Sequence, residues 1–172
     1  RLLPKDRTAR PVPLSAGPGT IEWRAGATGG GTATFEPVPS SAATGRFTGV
    51  LEGAHARASL ATRLGADGRA ADWTSFAAIA FRARGHGSFS VTLASGAGAQ
   101  AELRVSRPFD APLEWGQVVI PMDSLQRVGS GDGHPLAADA VSSLSFDIAS
   151  PSPRASSVAW NGMLAPLASL RA

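Results

Sequence analysis

The chain has no cysteine and no tyrosine, and Lys5 is its only lysine. Without cysteine there is no disulfide framework, no thiolate metal site and no Cys nucleophile. That suits the cytosol, and equally an exported protein that does without disulfides. No apolar run approaches the roughly 20 residues that a membrane helix requires, so no membrane span is expected. The sequence has no Gly-x-Ser-x-Gly elbow. The three histidines, His55, His86 and His134, do not stand at metal-ligand spacing. Charge of one sign is also scarce, since 16 basic residues against 13 acidic ones leave a formal net charge of +3. The isoelectric point near 10.9 exaggerates that excess, because so few groups titrate below arginine. The arginines are interleaved with acids and form no stripe, which argues against a nucleic-acid partner.

What is present points to a turn-rich globular chain. A length of 172 residues suits one domain, and 43% hydrophobic with 17% charged residues is a globular balance. Twenty glycines and 13 prolines punctuate it often. Residues 1–19 carry four prolines and no period, so they read as a linker or a segment lashed over the surface, with a β-sandwich domain over 20–172. A first residue of Arg rather than Met is expected of a processed or excised piece. Together with the missing cysteines, it suggests an extracytoplasmic setting on a larger protein.

The best-specified stretch runs from Asp72 to Leu93. Asp72 can cap the turn after it. Ile79, Phe81 and Ala83 alternate with Ala80, Arg82 and Arg84, then Phe89, Val91 and Leu93 alternate with Ser88, Ser90 and Thr92. A period of two with one apolar side marks half-buried strands. Gly85-His86-Gly87 between them supplies the glycines of a hairpin turn. The same alternation places strands at Ile21–Ala25, Thr32–Glu36, Phe47–Leu51, Ala56–Leu64, Ala101–Val105, Trp115–Pro121 and Val141–Ala149. Shorter ones are expected at Ser157–Trp160 and Ala165–Leu170, and one helical turn at Asp123–Leu125. Nine or ten short strands without a long helix predict an all-β, two-sheet β-sandwich.

Four segments carry a family resemblance. They are Asp72-Trp73-Thr74-Ser75-Phe76, Ile79 to Gly87, Trp115-Gly116-Gln117-Val118-Val119-Ile120-Pro121, and Val141 to Ile148. In this order and spacing, over roughly Gly45 to Ala149, the chain resembles the galactose-binding-like β-sandwich (jelly-roll) superfamily. Within it, the chain is most similar to the complex I intermediate-associated protein 30 domain and related carbohydrate-binding modules. The resemblance implies a non-catalytic binding or assembly module, a core position for Trp115, and a structural calcium ion between loops in some members.

Site residues follow from the outward halves of the strands. Arg82, Arg84, Thr92, Glu102, Arg104, Gln117, Ser145 and Asp147 all alternate away from the predicted core. If their strands are neighbours, they line one polar surface whose guanidinium and carboxylate groups suit sugar hydroxyls. The competing reading is an ordinary solvated face with cross-strand Arg–Glu pairs. Trp23 and Trp160 are candidates for stacking on a sugar, against a core role for each, and Trp73 is expected to seal the sandwich edge. Asp132, in the loop Gly129–Pro135, is the candidate ligand for calcium, against a plain glycine-rich turn. No cofactor is required. The expected function is a non-catalytic binding module with glycan as the ligand class. The alternative is a structural or protein-interaction domain whose partner is a neighbouring protein domain. An enzyme would need a concave cluster of perturbed titratable groups, and no pattern here supplies one.

Overall fold

A computed structural model describes residues 1–6, 10, 12, 22–38, 41–52, 55–64, 70–96, 103–128, 136–149 and 158–165, with the backbone alone at 38, 41–44, 149 and 158–165. Two six-stranded antiparallel sheets face one another. The strands are β1 (Leu2–Pro4), β2 (Arg24–Thr28), β3 (Gly31–Val38), β4 (Ser41–Leu51), β5 (Arg57–Arg63), β6 (Phe76–His86), β7 (Ser88–Ser95), β8 (Leu103–Asp110), β9 (Gly116–Pro121), β10 (Gln126–Arg127), β11 (Val141–Ala149) and β12 (Val158–Ala165). The first sheet runs β3, β4, β12, β6, β9, with β1 beside β6 as well. The second runs β10, β8, β7, β11, β5, β2. Among the described residues the helical content is two short 3-10 turns, Met122–Ser124 and Ala138–Ala140. The all-β sandwich expected from the alternation is the fold observed.

The connection between β6 and β7 departs from expectation. These strands do not pair; they belong to opposite sheets. His86 completes β6, and Gly87 alone turns the chain with φ 104°. The link is an arch between sheets rather than a hairpin within one. A left-handed glycine serves either geometry, so the local residues do not tell them apart. Gly29 and Gly30, at φ 65° and 91°, make the same kind of crossing from β2 to β3.

The core forms where the two inner faces meet. Phe47, Leu51, Ile79, Phe81 and Ile120 from the first sheet pack on Leu60, Val91, Leu93, Leu144, Phe146 and Ile148 from the second. Phe81 sets its edge against Phe146 at 5.0 Å and 74°, and against Phe109 at 5.3 Å and 75°. Edge-to-face contact of this kind adds about 0.5–1.5 kcal/mol to the area buried. At Gly49 the two sheets approach closely. A Cβ there would lie 2.8 Å from the Ala58 Cβ and 3.0 Å from the Ile148 Cδ1.

Leu2–Pro4 lie in the stretch read as a linker, yet they pair with β6, and Leu2 is buried in the core cluster. Prolines disfavour a central strand, but Pro4 stands at the last residue of β1, beside a register shift. Asp72 acts as expected. Its Oδ1 accepts from the Thr74 backbone N–H at 2.9 Å and from the Thr74 hydroxyl at 2.7 Å. These bonds favour the charged carboxylate and hold its pKa below the ordinary value.

Gly30→Ala forces a side chain into positive φ against the Glu52 carbonyl oxygen, 2.6 Å from the new Cβ. It is expected to cost about 1–3 kcal/mol in urea unfolding. Gly26→Ala, whose Cβ meets only the Ser59 hydroxyl at 3.8 Å, should cost far less. Equal losses would contradict the assigned crossing. The depressed Asp72 pKa implies a contribution that is present above the ordinary carboxylate value and lost as pH falls through the folded value. The stability gap between the parent and Asp72→Ala should therefore be widest at neutral pH and narrow on acidification.

Candidate functional site

Because Leu144, Phe146 and Ile148 point into the core, Ser143, Ser145 and Asp147 point outward. Strand register extends this outer face across the whole second sheet. One row runs Gln126, Ser106, Thr92, Ser145, Ala61, Arg24. The next runs Pro108, Ser90, Asp147, Ser59, Gly26, and a third runs Arg104, Ala94, Ser143, Arg63. Six strands spaced about 4.8 Å apart give a face roughly 24 Å across. Its middle is sheltered: Thr92 is 7%, Ser145 6% and Ala94 1% exposed. Its ends, Gln126, Arg104, Arg24 and Arg63, are exposed. Short side chains between long ones make a trough. The trough is polar and partly organised in advance. The Ser145 hydroxyl donates to the Asp147 Oδ2 at 2.9 Å, the Ser59 hydroxyl to the Gly26 carbonyl at 3.4 Å, and the Ser88 hydroxyl to Asp110.

The outer face of the first sheet is built differently. Phe81 and Ala83 are buried, so Arg82 and Arg84 point away from the core on β6. Gln117 on β9 stands opposite Arg82. Trp115 precedes β9 and is half-buried. The guanidinium carbon of Arg84 lies 5.4 Å from the centre of its ring, and that of Arg82 lies 5.7 Å away. Gly116 leaves room for Pro112, whose Cγ would be 2.9 Å from a Cβ there, and the Pro112 carbonyl accepts from the Gly85 N–H at 2.8 Å. These contacts hold the Trp115 loop against the end of β6.

The residues singled out from sequence therefore divide between two opposite faces. Arg82, Arg84 and Gln117 lie on the first sheet; Thr92, Arg104, Ser145 and Asp147 lie on the second. They do not form one surface. Thr92 and Ser145 are outward, as expected, but sheltered rather than solvated. Trp23 is not an exposed platform. It packs on Phe146 at 5.7 Å and seals the edge of the core beside β2. Trp115 is not a core residue; it is an aromatic of the outer face. Trp73 is buried in the core cluster. The backbone of Trp160 pairs with Gly49 in β12, while its side chain, like Glu102 and Asp132, lies outside the described residues. Among the described residues there is no cluster of three His, Cys, Asp or Glu able to hold a metal ion. No helix there is long and apolar enough to cross a membrane.

Neither a protein-family model nor a curated protein matches the sequence. Solved structures do match. A family 11 carbohydrate-binding module from Clostridium thermocellum, in complex with a β-1,3-1,4-mixed-linked tetrasaccharide, superposes with TM-score 0.66 at 14% identity. That match covers 86% of this chain and 88% of the module. The chain has the β-sandwich fold of these modules. A family 30 module of a cellulosomal cellulase from the same organism matches with TM-score 0.57 at 12% identity, over 85% of this chain and 89% of that one. An agarase, AgWH50C, matches 95% of this chain at 12% identity and TM-score 0.52, but over only 24% of its own length.

The placement of the two indoles is directly testable. Trp73→Ala should cost about 3–5 kcal/mol in urea unfolding. Trp115→Ala, at a half-buried outer position, should cost clearly less. A Trp115 loss as large as that of Trp73 would return Trp115 to the core.

Proposed function

We infer that this domain is a non-catalytic glycan-binding module, and that its primary site is the trough on the outer face of the second sheet. The observation that carries this reading is the trough itself. A sheltered floor of hydroxyl side chains crosses the sheet, with the Asp147 carboxylate beside it and arginines at its margins. Sugars present rings of hydroxyls that act as both donor and acceptor. Serine and threonine hydroxyls, a carboxylate and a guanidinium match them, and a face that bonds hydroxyls already sheltered from water loses less on binding. The likeness to two carbohydrate-binding modules over most of their length supports the same ligand class. The partial cover of an agarase supports a part appended to a larger protein.

An assembly or accessory role, as in the complex I intermediate-associated protein 30 family, is the alternative. It is favoured by the exposure of Leu113 and Val119, apolar side chains near Trp115 that a neighbouring protein domain could cover. Calcium at Asp132 is proposed only as a support for the loop that carries it.

Affinity electrophoresis against mixed-linked β-1,3-1,4-glucan and agarose, with calcium or with chelator, tests the reading. Saturable retention of one neutral glycan is expected. Ser90→Trp fills the trough from an outward position without entering the core, and should weaken binding about tenfold or more, with Asp147→Ala weakening it too. Unchanged urea midpoints would confirm folded variants. Absence of retention on every neutral glycan, or full retention by Ser90→Trp, would move the assignment to the accessory role.

A further inference from the structure

The centre of the trough is narrower in its chemistry than the trough as a whole. On β11 the Ser145 hydroxyl donates to the Asp147 Oδ2 at 2.9 Å, and on β5 the Ser59 hydroxyl donates to the Gly26 carbonyl at 3.4 Å. A hydroxyl has a single hydrogen to donate, and an ionised carboxylate has none. Asp147 stands directly opposite Ser59 in the β11–β5 ladder. Ser145 lies two residues earlier on the same face, opposite Ala61. The side chains of this block are therefore three acceptors and a methyl group, with their hydrogens already committed inside the protein. A ligand over the block has to bring the donors. Ser145 is only 6% exposed, whereas Asp147 and Ser59 are half-buried and open to the trough.

Stacking does not supplement these bonds. An aromatic ring can hold a sugar by its carbon–hydrogen face, but among the described residues no aromatic side chain stands at an outward position of the second sheet. Phe89, Phe109 and Phe146 face the core, Trp23 packs on Phe146, and the backbone of Trp160 belongs to β12 in the first sheet. The orientation of a sugar in the trough thus falls to hydrogen bonds. Two kinds of group deliver several donors side by side: an ammonium, and a pair of neighbouring hydroxyls. Arg57 and Arg63, both exposed, bracket the block on β5, two residues from Ser59 and Ala61 respectively. Their charge opposes another cation, which favours the hydroxyls.

We propose that the trough selects a sugar residue with two free neighbouring hydroxyls, both of which donate into this block. Asp147 and Ser59 are the groups that touch the sugar, and Ser145 is a positioning residue that holds the Asp147 carboxylate. The bond from Ser145 occupies one lone pair of Oδ2 and leaves the rest of the carboxylate for the ligand. Directly opposite residues have Cβ atoms about 4.5–5.5 Å apart, close enough for Asp147 and Ser59 to receive adjacent hydroxyls of one ring. A carboxylate fixed in advance also loses less freedom on binding. A 1,4-linked hexopyranose keeps its 2- and 3-hydroxyls free and adjacent. In a 1,3-linked one the linkage separates the free 2- and 4-hydroxyls, and the repeating unit of agarose has no adjacent free pair. The proposal rests on the trough reading and adds which residues of a glycan the trough can hold.

The test is affinity electrophoresis of the whole chain against mixed-linked β-1,3-1,4-glucan, galactomannan, linear β-1,3-glucan and agarose, followed by calorimetric titration with the retained polymer and with chitosan oligosaccharides. Retention is expected on a polymer whose residues carry free adjacent hydroxyls, and not on agarose or linear β-1,3-glucan. Asp147→Asn replaces an acceptor oxygen by a donor in the same shape, and should weaken binding about tenfold or more. Ser59→Ala should weaken it about threefold. Ser145→Ala should weaken it about fivefold in the parent, but change little beside Asp147→Asn, because a positioning residue acts through the group it holds. A purely structural role for Ser145 would cost the same in both backgrounds. Urea midpoints identify any variant that misfolds, and if Ser145→Ala does, Asp147→Asn and Ser59→Ala carry the test. The proposal is overturned if agarose or linear β-1,3-glucan is held as tightly as the other polymers, or if Asp147→Asn binds as before. Equal losses from Ser145→Ala with and without Asp147→Asn would also overturn it, as would tighter binding of chitosan oligosaccharides than of any neutral polymer. Failure of the trough reading shows separately, as absence of retention on every polymer or retention insensitive to Ser90→Trp, and it takes this proposal with it.

Discussion

Phe81 is the point on which the two sheets agree. It comes from β6 in the first sheet and sets its edge against Phe109 and Phe146 from the second. Phe146 in turn carries Trp23, and Phe89 stacks on Phe109 at 5.6 Å. Quadrupole preference favours edge-to-face and offset contacts over face-to-face ones, so the aromatic group constrains how the sheets sit on one another. Its larger effect is on what faces away. With Phe81 and Ala83 inward, a strand of period two has no choice but to send Arg82 and Arg84 outward. With Phe146 inward, Ser145 and Asp147 must leave on the far side. Both outer surfaces thus depend on one packing decision in the middle, and a one-residue slip of β6 or β11 would dismantle core and surface together.

Much of this was legible in the sequence, and the limits have physical causes. Alternation located β11 at Val141–Ala149 to the residue, found the inward sides of β5, β6, β7 and β9, and implied two packed sheets. Alternation says which side of a strand is buried; it does not say which sheet the strand joins. Arg82 and Thr92 therefore looked like neighbours on one polar surface, although the arch at Gly87 puts them on opposite sides of the molecule. The shelter of Thr92, Ser145 and Ala94 was not legible either, because it depends on the long residues at the margins of several strands that are distant in sequence.

Trp115 shows a signal that was present and outweighed. Ile120 and Val118 face inward, so counting back by two makes Gly116 inward and sends Trp115 outward with Gln117. The expectation of a core tryptophan came from family resemblance and from the general burial of indoles. Period two contradicted it, and the structure follows the period. Trp23 went the other way. A half-buried ring at the end of a weak strand found an aromatic partner in Phe146, which no local pattern announces.

The placement of β1 and β12 has a mechanical side. β9 occupies one edge of β6 over Ala78–Ala83, so β1 at Phe76–Ile79 and β12 at Arg82–His86 must share the other edge, one after the other. The backbone nitrogen of Arg1 donates to Ala80, two positions from the partner of Ala165. Residues 1 and 165 thus lie within roughly two residues of strand rise, about 7 Å, along one line. Tension applied through Arg1 and Ala165 would load the β1–β6 and β12–β6 ladders along that short line, with β12 passing part of it on to β4. The second sheet, which shares no backbone ladder with β1, β6 or β12, would stand outside that load path.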